Sequence, residues 1–127
     1  MNSWTITNLE LRPHAPEILA STDDARAIAI MIPAGESLDD HQVHESAWVT
    51  VIDGEVEITG SGGESVIGGA GLFVAFAPNE RHAVRARSDA RLLLLLTPWP
   101  GVDHPGAMTL DQKANARDAA AQRRPDA

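Results

Sequence analysis

Cysteine is absent from the sequence. Without a thiol there is no disulfide framework, no zinc–thiolate centre and no cysteine nucleophile. Tyrosine is absent too, and two Phe and three Trp supply all the aromatic bulk. A stacking pocket for large flat ligands is disfavoured, and the interior has to be built from Val, Ile, Leu and Ala, the residues that fill a small barrel. Long hydrophobic runs are missing as well. The longest, Leu92 to Leu96, falls far short of the roughly 20 residues that a membrane-spanning helix needs. The opening Met1-Asn2-Ser3-Trp4-Thr5 lacks the basic start and apolar run of a secretory signal, so a cytoplasmic protein without membrane association is expected. Positive charge is scarce: 10 Lys and Arg stand against 18 Asp and Glu, a formal net charge of −8. Such a surface repels a polyanion. Arg85, Arg87 and Arg91, like Arg117, Arg123 and Arg124, read as solubilising or ion-paired groups, and no nucleic-acid partner is expected.

Hydrophobic residues make up 43% of the 127 positions, enough for the core of one domain and too short a chain for two. Their period is two. Ala27 to Ile32 places Ile28, Ile30 and Ile32 on one face, and Glu55-Val56-Glu57-Ile58 sends Val56 and Ile58 inward. In His82-Ala83-Val84-Arg85-Ala86-Arg87 the arginines point out, which turns His82, Val84 and Ala86 in. Trp48 to Ile52 and Leu92 to Leu96 are apolar on both faces, as strands are that lie centrally or are covered by something else.

Turn signals punctuate these runs at Pro33-Ala34-Gly35, Asp53-Gly54, Gly60 to Gly63, Gly68 to Gly71 and Pro78-Asn79. Asp53-Gly54, between two strand-like runs, predicts a two-residue hairpin. Short strands at this spacing argue for an all-β sandwich or barrel. The last quarter differs. Pro98 to Gly106 is a rigid loop, Thr109 to Gln112 has the form of a capping box, and an Ala-rich helix is expected from Leu110 to about Gln122, stopped by Pro125. Residues 1–107 are thus expected to form a barrel with an N-terminal lead strand, and residues 108–127 a C-terminal helix and tail of the same domain.

Of the five histidines, His14, His41, His44, His82 and His104, two stand in a distinctive register. His41 follows Gly35 after five residues and precedes Gly54 by thirteen; His82 follows Gly71 by eleven. These spacings resemble the two motifs of the cupin superfamily. The first motif reads Gly, five residues, His-x-His, three or four residues, Glu, six residues, Gly. The second reads Gly, five residues, Pro-x-Gly, two residues, His, three residues, Asn. The resemblance covers Gly35 to Ala86 and implies a double-stranded β-helix, the jelly-roll barrel of RmlC-like proteins, with one divalent metal held in the lumen by three histidines and a glutamate. Here Gly35, His41, Gly54, Gly71 and His82 match, whereas Val43 stands at the second histidine and Ala47 at the glutamate. Ala77 replaces the proline, Asn79 the glycine and Ala86 the final asparagine; Asn tolerates the left-handed backbone that glycine would supply.

Two imidazoles make a poor mononuclear site, since such sites usually take three or more protein ligands. His44 is the candidate third ligand beside His41 and His82. On an ideal strand positions 41 and 44 face opposite ways, and a β-bulge near Gln42-Val43 would bring His44 round. Glu45 shares the parity of His41 and could serve as an oxygen ligand or a general base. The candidate catalytic residues are therefore His41, Glu45 and His82. The leading expectation is a lumen that binds a small molecule, with room for one divalent ion (Fe, Mn, Ni, Zn or Cu) and, if one binds, dioxygenase- or isomerase-like chemistry. The alternatives are a metal-free sensing module, a metal-free enzyme with His41 or His82 as base, and a purely structural protein. Trp48, with parity opposite to His41, joins Leu93 and Leu95 on an outer face that a homodimer or the terminal helix would cover.

Overall fold

Where charged and apolar residues alternate, the chain forms strands with one wet and one dry face. Arg85 and Arg87 are exposed, while His82, Val84 and Ala86 are buried. The computed structural model describes residues 1–41 and 44–97 and, of residues 39–41, the backbone alone; it has nine strands, of which Ser46–Asp53, Val56–Thr59 and His82–Ala86 alternate most clearly between wet and dry faces. The expected loop from Pro98 and the helix within 108–127 lie outside the described residues.

One sheet holds five strands in the order β1 (Glu17–Ser21), β2 (Arg26–Ile32), β9 (Ala90–Thr97), β4 (Ser46–Asp53), β7 (Phe73–Phe76). The other holds β3 (Ser37–His41), β8 (His82–Ala86), β5 (Val56–Thr59) and β6 (Ser65–Gly68) in that order. All these neighbours pair antiparallel. The core lies between the sheets: Ile30, Ile32, Val49, Val51 and Leu92 from the first meet Val56, Ile58, Val84 and Ala86 from the second. The architecture is the all-β, two-layer one that the alternation implied. β9, which carries the leucine run, is a central strand, paired with β2 on one side and β4 on the other. Leu92 and Leu96 fill the core while Leu95 faces out.

Asp53-Gly54 departs from expectation. Both flanking runs are strands, but β4 pairs with β7 and β9 whereas β5 pairs with β6 and β8. The turn carries the chain from one sheet to the other and closes no hairpin. A type I′ turn needs positive φ at both central residues, and here Gly54 alone has it, at +83°. Gly54 also passes against the β8–β9 turn so closely that an added Cβ would lie 2.7 Å from the Ala90 Cα and overlap the Asp89 carbonyl. Asn79 adopts the left-handed backbone, with φ 64°.

The segment before β1 is tied down. Arg91 Nη1 donates to the carbonyls of Ile6 (2.7 Å) and Leu9 (2.6 Å). His14 is exposed; it donates through Nε2 to Glu36 at 2.7 Å, while its amide bonds the Met31 carbonyl. Among the described residues no helix is long and apolar enough to cross a membrane.

Candidate functional site

Cross-strand register defines what lines one end of the space between the sheets. In the five-stranded sheet Arg26 pairs with Leu96, Leu96 with Ala47, and Ala47 with Phe76. These four share an inward face, since Leu96, Ala47 and Phe76 are all core residues. Glu45 lies two positions before Ala47, on the same face by the period of a strand, and is only 1% exposed. In the four-stranded sheet the backbone of His41 pairs with that of His82. The pairing of β3 with β8 shifts register between Leu38 and His41, a bulge-like irregularity just before the expected position at Gln42-Val43, which is outside the described residues.

His82 is 5% exposed, and its ring stacks on Phe76 with centroids 3.9 Å apart and planes 12° from parallel. Because Phe76 belongs to one sheet and His82 to the other, this contact locks the two layers together at the site. His82 Nδ1 lies 3.0 Å from the Glu80 carbonyl. A carbonyl can only accept, so Nδ1 carries a proton and Nε2 is the acceptor in the neutral ring. The arrangement thus holds an imidazole in one tautomer and one orientation.

Glu45 and His82 are the buried polar or charged side chains among the described residues. A buried carboxylate is costly: several kcal/mol per ion survive relaxation, which good partners only offset. Replacing a buried ionic group by an apolar one of similar volume is often neutral or stabilising. The carboxylate's presence at one end of an otherwise Val-, Ile- and Leu-lined interior points to chemistry or recognition.

The remaining sequence candidates separate. His44 is exposed, and its Nδ1 donates to Asn79 Oδ1 at 2.9 Å, which ties the segment before β4 to the β7–β8 turn. His104 lies outside the described residues. No three His, Cys, Asp or Glu side chains among the described residues come together as a metal site. Ala47, at the glutamate position of the motif, offers only a methyl group. The described donors at the lumen end, Glu45 and His82, number fewer than the three a mononuclear ion usually takes, so by themselves they do not fit one.

Sequence reasoning missed Phe76 and Arg26. Phe73 to Phe76 is apolar throughout and gives no parity, so nothing in it announced which ring faces His82. Arg26 was legible, since it has the same parity as Ile28, Ile30 and Ile32. A separate hollow of about 360 Å³ lies on the outer face of the four-stranded sheet, lined by Gly35, Glu57, Arg85, Ala86 and Arg87. Its charges answer one another, with Arg87 Nε 3.3 Å from Glu55 Oε1.

A family model described as a cupin domain matches residues 28–98. No curated protein matches the sequence. Among solved structures, an RmlC-like cupin protein from Desulfovibrio desulfuricans is similar at a TM-score of 0.69 and 20% identity, over 76% of this chain and 96% of that one. An RmlC-like cupin family protein with a double-stranded β-helix fold from Methanocaldococcus jannaschii gives a TM-score of 0.61 and 20% identity, over 70% and 87%. KdgF from Halomonas sp. gives 0.65 and 18%, over 77% and 95%. At these identities the likeness is one of fold.

Proposed function

The chain belongs to the cupin family, and from that premise we propose that the end of its barrel marked by Glu45 and His82 binds a small molecule. The observation that carries this reading is the burial of those two side chains, 1% and 5% exposed, one immediately before β4 of the first sheet and one on β8 of the second. Phe76, Ala47 and Leu96 are the apolar walls, and they suit a small aliphatic ligand better than a broad aromatic one. His82 Nε2 accepts a hydrogen bond from the ligand, because Nδ1 is committed to the Glu80 carbonyl. The Glu45 carboxyl group orients the ligand from the other sheet. An imidazole held in this way is also equipped to take up and return a proton, so the site has the parts for acid–base chemistry on what it binds.

Thermal-shift screening of a library of small polar metabolite-like compounds tests the proposal, run on the wild-type protein and on His82→Phe, which preserves the stack on Phe76. A compound at one hundred times its Kd stabilises the protein it binds by about 2.7 kcal/mol. Hits that vanish in His82→Phe support the reading; hits that persist unchanged, or a library without hits, count against it. A divalent metal is the second reading, favoured by the backbone pairing of positions 41 and 82. Elemental analysis of tag-free protein against Glu45→Ala and His82→Ala decides it: stoichiometric metal lost in both variants is the result it requires.

A further inference from the structure

Resting on the reading of the lumen as a ligand site, we infer that the ligand is a small organic carboxylate and that Arg26 at the rim is its anchor. Arg26 opens β2, on the face that Ile28, Ile30 and Ile32 turn to the core, and its backbone pairs with the core residue Leu96. Period and register therefore agree that its side chain leaves the strand on the inner face. The turn at 33–36 reverses the chain between sheets, so the start of β2 and the end of β3 lie at the same end of the barrel. That end is where His82 and Glu45 lie.

An arginine on this face is out of keeping with its row. The others in it, Leu96, Ala47 and Phe76, are apolar. Arg26 is half-buried, and its one hydrogen bond among the described residues is a long one, from Nε to the Ser21 hydroxyl at 3.4 Å. Neither Nη group engages another described residue, although acidic residues outnumber basic ones 18 to 10 in the chain. Arg87 and Arg91, by contrast, are occupied by Glu55 and by two backbone carbonyls. A guanidinium fork whose two Nη groups no other described residue engages matches a carboxylate in bidentate fashion.

The apolar members of the row set the character of the ligand's other end. Ala47 lies two strands from Arg26 and Phe76 three, about 10 and 14 Å at the usual strand spacing. Between the arginine and the His82–Phe76 stack there is thus an apolar stretch that fits a short aliphatic chain. Glu45, two residues before Ala47, lies roughly 12 Å from Arg26 between α-carbons at the usual strand spacing and rise. The molecule as a whole carries −8 and repels anions at long range, so recognition of an anion depends on local positive charge such as that of Arg26.

Two-dimensional NMR titration of the full chain at constant ionic strength tests the inference with acetate, propanoate and butanoate, butanamide as the neutral match, and inorganic phosphate. The carboxylates are expected to move the Arg26 Nε–Hε signal together with the amides of Ala47, Phe76 and His82, and to bind more tightly as the chain lengthens. Arg26→Gln should weaken butanoate at least tenfold, with Arg26→Lys between. Equal affinity in Arg26→Gln, equal affinity for butanamide, or phosphate binding as tight as butanoate would overturn it. If neutral ligands move Phe76 and His82 equally in wild type and Arg26→Gln, the lumen reading stands and the carboxylate inference falls. If carboxylates move Arg26 and leave Phe76 and His82 unmoved, the lumen reading falls, and the inference with it.

Discussion

Replacing Glu45 by Met asks whether the buried carboxylate serves the fold or the ligand. Met is unbranched, nearly the same length, and adapts to irregular space. The Glu45 side chain is 1% exposed, so it bears almost the whole cost of leaving water, several kcal/mol for an ionised carboxylate after relaxation. Each hydrogen bond to the charged group returns about 1.5–3 kcal/mol, leaving a net contribution near zero. A buried Met in its place contributes about 1.5–3 kcal/mol. Glu45→Met should therefore gain about 1.5–3 kcal/mol, a rise in Tm of roughly 6–11 °C for a domain of this size, while losing ligand binding. Circular dichroism followed through thermal and urea unfolding reads the first quantity, and the thermal-shift screen reads the second. A variant destabilised by more than about 2 kcal/mol would show that the carboxylate holds the structure together and would refute the reasoning.

Other perturbations reach other parts of the account. Gly54→Ala should cost at least about 3 kcal/mol in urea unfolding, since a left-handed non-glycine residue costs about 1–3 kcal/mol before the overlap with Asp89 and Ala90 is counted. Gly35→Ala, with φ +80° but open space around the added carbon, should cost only the first part. Arg91→Met should release the N-terminal segment from the barrel and speed amide exchange at Asn8 and Leu9 about tenfold or more, as the loss of a charged donor worth about 1.5–3 kcal/mol implies, without changing exchange at Val84. Trp48 and Phe73 stack at 5.9 Å and are 37% and 58% exposed, with Leu95 paired beside Trp48. We propose that a second copy covers this face, so the wild type should have a dimer mass by light scattering and Trp48→Glu with Phe73→Glu a monomer mass. A monomeric wild type ends that proposal.

The fold was legible where polarity alternated. The β2, β5 and β8 faces could be assigned from Ile28-Ile30-Ile32, Val56-Ile58 and Arg85-Arg87 because each polar residue forces its neighbours inward. Sheet membership was not legible at Asp53-Gly54: a tight turn between strands looks the same whether it closes a hairpin or crosses between layers, and only long-range pairing with β7, β8 and β9 decides between them. At the site, parity sufficed to turn Glu45 and His82 inward. The stack of His82 on Phe76 was hidden, since it depends on how two sheets pack and Phe73 to Phe76 carries no polar marker. The tie between His44 and Asn79 was hidden for a related reason. It joins two loops thirty-five positions apart, which no local pattern encodes.

Crystals of the wild-type protein soaked with a library of small organic fragments test the central claim most directly. The account requires bound fragments at the lumen end, against the His82–Phe76 stack and Ala47 and within hydrogen-bonding reach of His82 Nε2. Fragments gathering instead in the outer hollow beside Arg85 and Arg87, with the space around Glu45 and His82 closed by the protein's own side chains, would contradict it.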